Sequence, residues 1–313
     1  MRILFMSGAD WAFEFIEIIR DNFQLCGIVT SPDKPKGRGK NVFPNRIKKC
    51  ALEKKIFLLQ PETLKKSTFL ESLRALYLDL IVVVAYGKIL PKEVLSIPKK
   101  GCVNIHFSLL PRHRGASPIQ WALLSGDKKT GISFIVMDEG MDTGKIILQE
   151  EIDIEDNDNF LSLRKKLIEK AKAMLVKTLE MFYLDKISLK QQDVTKVTYA
   201  PLIRKEDGRI NWEDSSVYIL RKIRAFTPWP SAYTTLLFKG EKKLLKVLEA
   251  EEVNCNTEGA TGEILDIIKD KGIIVKCATG QILIKKVRLE GRPSCNAYAF
   301  SLGVRLSKGD RFF

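Results

Sequence analysis

The sequence has few of the features that mark a secreted or metal-binding protein. Its 313 residues contain six cysteines, none of them in a Cys-x-x-Cys pair or at a spacing typical of a zinc site. Several lie in apolar runs, as Cys277 does shortly after Ile274, which is typical of reduced cysteines in a protein core. The cysteines therefore favour neither a disulfide framework nor a metal cofactor.

Long hydrophobic segments are also missing. The longest uncharged apolar run covers residues 80–87, far short of the roughly 20 residues that a membrane helix needs. The apolar run after Arg2 is soon interrupted by Asp10 and Glu14, and no signal-peptide cleavage site follows it. Together with the cysteines, this pattern predicts a cytoplasmic protein that makes no membrane contact.

Acidic residues are outnumbered, with 38 Asp and Glu against 52 Lys and Arg and a formal net charge of +14. Such a surplus favours a polyanionic partner such as nucleic acid. Lysine-rich proteomes also contain many basic enzymes, so charge alone leaves both interpretations open.

The hydrophobic pattern changes along the chain. In the first half, short apolar runs alternate with helical stretches, and Ile81-Val-Val-Val-Ala85 is apolar on both faces, as buried parallel strands are. This alternation predicts an α/β fold with a doubly wound, mostly parallel, Rossmann-like sheet. Short strands at turn-rich spacing follow residue 230 and predict a smaller β-barrel, with an OB-like barrel as one candidate. We expect a first domain over 1–185, a linker over 186–204 and a C-terminal domain over 205–313.

Polar residues occupy one face of a predicted strand near the middle of the chain. In Cys102-Val-Asn-Ile-His-Phe-Ser-Leu-Leu-Pro111, Asn104 and His106 share a face, because side chains alternate along a strand. Burying them unpaired would cost a few kcal/mol, and the end of such a strand is where open α/β sheets bind ligands. Either the pair bonds to neighbouring backbone or it faces a ligand, and the pattern alone leaves both open.

A glycine-rich loop follows the next predicted strand. Met137-Asp-Glu-Gly-Met-Asp-Thr-Gly144 contains Asp138 and Asp142, and its glycines allow the backbone to approach a ligand closely. Asp142 is a candidate to pair with His106 and fix its tautomer. The alternative is an ordinary turn in which Asp142 caps the next element.

Taken together, Asn-x-His-x-Ser-Leu-Leu-Pro and Met-Asp-x-Gly-x-Asp-x-Gly resemble the formyltransferases that use 10-formyltetrahydrofolate. Other segments resemble the methionyl-tRNA formyltransferases within that family, namely the basic loop at 31–40, the apolar stretch 82–91 and Arg224-Ala-Phe-Thr-Pro-Trp-Pro230. Two departures are Ser7-Gly-Ala-Asp-Trp11, where relatives usually have Gly-Thr-Pro-Asp-Phe, and Phe107, where many have glycine.

The resemblance implies an enzyme that moves the formyl group of 10-formyltetrahydrofolate onto the free amino group of methionyl-initiator tRNA, for translation initiation. It implies that Asn104 and His106 donate hydrogen bonds to the negative oxygen of the tetrahedral centre. Asp142 would orient His106 and help to take the proton from the amine. The folate site would be lined by Ser108, Leu109, Leu110 and Pro111, and no metal would be required.

The resemblance also implies that the basic loop contacts tRNA through Lys36, Arg38 and Lys40, with Arg38 entering the acceptor end. The alternative for this loop is a solvated surface segment. The C-terminal domain would add cationic surface for tRNA, and we expect a monomer. We expect His113 to be an exposed residue of a basic loop and Trp229 to be a packing residue.

Two alternative functions are compatible with parts of this sequence. One is formyl transfer to a small amine, such as glycinamide ribonucleotide or an amino sugar; the other is a non-catalytic RNA-binding protein on a formyltransferase-like scaffold.

Overall fold

The structure is a computed structural model that describes residues 1–36, 41–238, 240–253 and 258–313. The chain forms two compact units. The first contains Met1–Pro118, Lys129–Asp153 and Lys165–Pro201. The second contains Ile119–Lys128, Ile154–Arg164 and Leu202–Phe313. Among the described residues, no helix combines the length and apolar character needed to cross a bilayer.

The first unit is built on a seven-stranded sheet with the strand order β5-β2-β1-β6-β7-β8-β9. The strands of this part of the chain are β1 (Arg2–Met6), β2 (Gln24–Val29), β3 (Lys34–Lys36), β4 (Asn41–Phe43), β5 (Leu58–Leu59), β6 (Leu80–Val83), β7 (Cys102–His106), β8 (Lys129–Val136) and β9 (Ile146–Asp153). The first five strands in this order pair in parallel, namely β5, β2, β1, β6 and β7, whereas β8 and β9 add an antiparallel edge. The prediction of a mostly parallel, Rossmann-like sheet is confirmed.

The centre of this sheet is its most apolar part. All four residues of β6 are buried. Two of them, Ile81 and Val83, join a core that includes Leu4, Met6 and Val29. Full burial on both faces explains why this strand is a continuous apolar run, not an alternating one. The polar side chains at the end of β7 therefore lie beside an entirely apolar strand.

The helices in the same part of the chain are α1 (Glu14–Asn22), α2 (Arg46–Glu53), α3 (Ser67–Arg74), α4 (Lys92–Leu95), α5 (Pro118–Ser125) and α6 (Phe160–Tyr183). A 3-10 turn, Asp10–Phe13, precedes α1. The side chain of Asn45 caps α2 by accepting a hydrogen bond from the backbone N–H of Lys48 at 2.8 Å.

The second unit contains an antiparallel sheet of six strands. Its order is β10-β11-β14-β13-β12, and β15 pairs with β14. The elements are α7 (Ser216–Ala225), β10 (Ala232–Phe238), β11 (Glu241–Glu252), β12 (Ile264–Ile268), β13 (Gly272–Lys276), β14 (Gln281–Leu289), β15 (Cys295–Asn296) and α8 (Ala297–Val304). One face of the sheet packs into a core with Trp212, Ile223 and Phe300. The expected change from an α/β unit to a separate β-rich unit is confirmed.

Candidate active site

Three side chains from two elements meet at the carboxyl end of β7. Asn104 and His106 lie on that strand, and Asp142 lies in the loop between β8 and β9. The Nδ2 atom of Asn104 donates a hydrogen bond to Oδ1 of Asp142 at 3.2 Å. The Nδ1 atom of His106 lies 3.5 Å from Oδ2 of the same carboxylate. The structure therefore brings together the three residues that the sequence motifs single out.

The Asp142 carboxylate is further restrained by backbone. The N–H of Gly115 donates to its Oδ2 atom at 2.9 Å. Asp142 itself has φ 55°, a left-handed conformation that is uncommon for residues other than glycine, although Asp and Asn tolerate it best. Elsewhere in this loop, the Asp138 carboxylate accepts hydrogen bonds from the hydroxyl of Thr143 and the N–H of Gly140. The loop thus holds Asp142 by specific contacts.

The imidazole of His106 is buried, with 5% of its surface exposed, and it has acceptors on both sides. Its Nε2 atom lies 2.9 Å from the carbonyl oxygen of His113, which can only accept, so this nitrogen carries a proton. The Nδ1 atom faces the Asp142 carboxylate. A neutral ring can donate from only one nitrogen; a ring protonated at both nitrogens would satisfy both neighbours.

His113 and Arg114 are buried, with 4% and 6% of their surfaces exposed, so the prediction of an exposed loop at His113 is wrong. The reason is a distant segment that covers them. The N–H of His113 donates to the Thr198 hydroxyl at 2.8 Å, and the N–H of Arg114 donates to the Thr198 carbonyl at 2.9 Å. Ala200 returns a bond to the Arg114 carbonyl at 2.7 Å.

The turn from Ser108 to Pro111 is organised from within the protein. The Ser108 hydroxyl donates to the Arg112 carbonyl at 2.6 Å, and the Ser133 hydroxyl donates to the Ser108 carbonyl at 2.7 Å. Ser108 and Leu110 are buried, whereas Leu109 and Pro111 keep part of their surface. The Leu110–Pro111 peptide bond is cis. Of the four residues expected to line a folate site, Leu109 and Pro111 have the more accessible side chains.

Phe107, between His106 and Ser108, is buried and packs edge to face against Trp11, with ring centroids 5.3 Å apart. The two aromatic departures from the expected motifs thus contact each other. An edge-to-face pair of this kind is favourable beyond its buried area, so the larger Phe107 side chain has a specific neighbour in this chain.

The basic loop is described only in part. Lys36 ends β3, which pairs with β4 in antiparallel register; Arg38 and Lys40 lie outside the described residues. The loop's base is fixed, because the Asp33 carboxylate accepts hydrogen bonds from Lys48 and Gln60. These contacts hold the pKa of Asp33 below its ordinary value, with the Lys48 hydrogen bond as the largest cause.

Trp229 is 55% exposed, so the prediction of a packing role is wrong; it lies between a cis Thr227–Pro228 bond and a cis Trp229–Pro230 bond. In the described parts of the chain, no group of three or more His, Cys, Asp or Glu side chains is arranged to hold a metal ion.

The fold and the site define the class as the formyl transferases. The family model described as formyl transferase matches residues 1–179, and the model for the formyl transferase C-terminal domain matches residues 202–305. The expected resemblance is confirmed, and the chain is an enzyme that transfers formyl groups.

Relatives of known name define the family more narrowly. A methionyl-tRNA formyltransferase of Caldicellulosiruptor saccharolyticus is 43% identical over 99% of both chains. The protein of the same name from Geobacter sulfurreducens is 40% identical over 99% of this chain and 96% of the relative. The chain therefore belongs to the methionyl-tRNA formyltransferase family.

Solved structures show the same fold at low identity. HypX from Aquifex aeolicus, in complex with tetrahydrofolic acid, matches with a TM-score of 0.65 and 18% identity over all of this chain, which spans 50% of HypX. The sugar 3N-formyl transferase WlaRD matches with a TM-score of 0.63 and 18% identity over 94% of this chain and 99% of that one.

Proposed function

We propose that this enzyme transfers the formyl group of 10-formyltetrahydrofolate to the α-amino group of methionyl-initiator tRNA. The product would be N-formylmethionyl-tRNA for translation initiation. The observation that carries the proposal is the meeting of Asn104, His106 and Asp142 in a chain that matches methionyl-tRNA formyltransferases over nearly its whole length. We place the enzyme in the cytoplasm, as a monomer.

The chemistry begins with the neutral amine of the methionyl ester, because a free α-amino group has a pKa of about 7.7–8.0. Its nitrogen attacks the formyl carbon and forms a tetrahedral centre with a negatively charged oxygen. Collapse of this centre breaks the bond to N10 of the folate, which takes up a proton as the amine loses one. The enzyme must therefore stabilise an oxyanion and move a proton.

The donors for the oxyanion come from β7. The Asn104 amide nitrogen carries two hydrogens, and one of them is bonded to Asp142, so the other is free to bind the oxyanion. Because Nε2 already donates to the His113 carbonyl, His106 would donate to the oxyanion from Nδ1 in the ring form that is protonated at both nitrogens. One such donor contributes roughly 2.7–4 kcal/mol to the transition state.

Asp142 would take the amine proton, directly or through water, while it keeps His106 oriented. The turn Ser108, Leu109, Leu110 and Pro111 would form one wall of the folate site, with Leu109 and Pro111 as its accessible side chains. Lys36, Arg38 and Lys40 would bind the acceptor end of the tRNA. In this proposal 1–185 is the catalytic domain, 186–204 the linker and 205–313 the tRNA-docking domain.

The test is a formyl-transfer assay with 10-formyltetrahydrofolate and three acceptors: methionyl-tRNA, uncharged tRNA and glycinamide ribonucleotide. We expect transfer to methionyl-tRNA alone, since uncharged tRNA lacks the amine and the small acceptor lacks the RNA. A higher kcat/KM for glycinamide ribonucleotide than for methionyl-tRNA would contradict the proposed acceptor.

A further inference from the structure

Residues 190–200 run alongside the loops that form the site. Lys190 bridges Ile146 at the start of β9, and Tyr199 bridges Arg114. The N–H of Thr198 also donates to the carbonyl of Pro111 at 3.3 Å. This stretch therefore belongs to the hydrogen-bonding framework of the site, although its sequence is polar and lacks helical or strand periodicity.

Gln192 is the residue of this stretch whose side chain reaches the Asp142 loop. It is 5% exposed. Its Nε2 atom donates to the carbonyl oxygens of Asp142 and Gly144, both at 2.8 Å. Its Oε1 atom accepts from Nε and Nη2 of Arg114, at 3.0 and 2.7 Å. A carboxamide has two N–H groups and two lone pairs, so every one of them is used.

The Asp142 loop needs such a partner. Asp142 has a left-handed backbone conformation, which persists only where surrounding contacts determine it. Its carbonyl and that of Gly144 accept from the same amide nitrogen, which ties the two ends of the turn to one point. Movement of this turn would move the carboxylate that contacts Asn104 and His106.

We propose that Gln192 is a positioning residue for Asp142, and that Arg114 fixes the orientation of its amide. Gln192 does not touch the reacting atoms; it holds the carboxylate at the distance and angle that proton transfer requires. This inference rests on the proposed function of Asp142. A misplacement of about 1 Å at a catalytic group can cost on the order of 100-fold in rate.

The sequence offers a one-atom test with a matched control. Gln192→Glu keeps the shape of the side chain and its bonds to Arg114, but it places a carboxylate oxygen against two carbonyl oxygens. Gln191→Glu makes the same change in the exposed neighbouring residue. We expect Gln192→Glu to lower kcat by about 10- to 100-fold with the KM values for folate and tRNA nearly unchanged. Gln191→Glu should retain wild-type kcat.

A double-mutant cycle separates positioning from general damage. In an Asp142→Asn background, Gln192→Glu should cause no further loss of kcat, because the group that it positions has already lost its function. The proposal would be overturned if the kcat losses of the two single variants multiply in the double variant. It would also be overturned if the Gln192→Glu enzyme has wild-type kcat. If Gln192→Glu does not fold, as judged by circular dichroism, Arg114→Lys removes one of the two bonds to the amide and should give a smaller loss in the same cycle.

The proposed acceptor can fail independently. A wild-type enzyme that formylates glycinamide ribonucleotide and not methionyl-tRNA would contradict the proposed function. The cycle would then be measured with the acceptor that is used, and it would still decide the role of Gln192.

Discussion

The Nδ1 atom of His106 lies 3.5 Å from Oδ2 of Asp142, while the opposite ring nitrogen lies 2.9 Å from the carbonyl of His113. The imidazole is thus held between a carboxylate and a backbone carbonyl. Rotation of the ring would break both contacts. Its orientation, and with it the direction in which it can donate, depends on Asp142.

Asp142→Asn tests this dependence with little disturbance of the backbone. Asparagine tolerates the left-handed conformation of residue 142 better than alanine does. The variant removes the negative charge and the proton acceptor, so we expect kcat to fall by about 100-fold or more, as is typical for loss of general acid–base catalysis. Single-turnover formylation of methionyl-tRNA would measure the change.

Asp185→Asn is a matched control for that variant. Asp185 has φ 56°, but its side chain is 79% exposed and pairs with Lys100. It should retain wild-type kcat. An Asp142→Asn enzyme with near-normal kcat would remove Asp142 from the reaction.

Asn104→Ala removes the amide donor and keeps the strand. We expect kcat to fall by about 100- to 1,000-fold, the loss that removal of one oxyanion donor commonly causes. Folate binding, measured by fluorescence titration, should be nearly unchanged, because the donor acts on charge that develops only in the transition state. Asn22→Ala, at an exposed asparagine at the end of α1, should have no effect; an equal loss in both variants would argue against a specific role.

The sheet could be predicted from the sequence where burial requires a strong hydrophobic pattern. Strand β6 is buried on both faces, so it had to be a continuous apolar run, and its neighbours followed from alternation with helices. Strand β9 was not among the predicted strands. It lies at the edge of the sheet, and from Leu148 onward its residues are exposed or half-buried, which removes the apolar signal.

The burial of two polar residues could not be predicted, because their partners are distant in the chain. Gln192 and His113 lie in segments with the composition of surface loops, Gln-Gln-Asp and Pro-Arg-His-Arg. Their burial depends on hydrogen bonds between residues 111–117 and 190–200. The local sequence contains no periodicity or motif that indicates such a pairing.

Gly144→Ala should destabilise the first unit. A Cβ atom at this position would lie 1.7 Å from the carbonyl oxygen of Val136, so the backbone must move. We expect the free energy of unfolding to fall by about 1–3 kcal/mol, as for overpacked sites, measured by urea denaturation. Gly303→Ala is the control: nothing lies within 4 Å of its Cβ position in α8, and alanine there should be neutral or stabilising by about 0.5–1 kcal/mol. Equal stabilities for the two variants would contradict the packing argument.

The Asp79 carboxylate should make the stability depend on pH in the acid range. The backbone N–H of Arg2 donates to it at 2.8 Å and Lys99 at 3.0 Å, and these contacts, the Arg2 bond first, hold the pKa of Asp79 below its ordinary value. A lowered pKa in the folded state stabilises the protein above the unfolded pKa of about 3.9, and this stability is lost as the pH falls through the folded value.

Asp79→Asn should therefore lower the free energy of unfolding by about 1–3 kcal/mol at pH 7, and the difference from wild type should shrink below about pH 4. Urea denaturation at several pH values between 7 and 3 would measure it. A difference that stays constant over this range would show that the charge of Asp79 does not contribute.

Arg38→Ala tests the basic loop, whose central residues lie outside the described structure. If Arg38 binds the acceptor end of tRNA, its removal should raise the KM for methionyl-tRNA by about 10-fold, the effect of roughly 1.4 kcal/mol. The KM for 10-formyltetrahydrofolate should not change. Each phosphate contact releases counterions. The slope of log KM for methionyl-tRNA against log salt concentration should therefore decrease by about 1, the contribution of one contact.

Arg74→Ala, at an exposed arginine at the end of α3, removes the same charge and should change neither KM. If Arg38→Ala behaves like Arg74→Ala in both the KM and the salt dependence, the loop takes no part in tRNA recognition, and the cationic surface that binds the acceptor lies elsewhere.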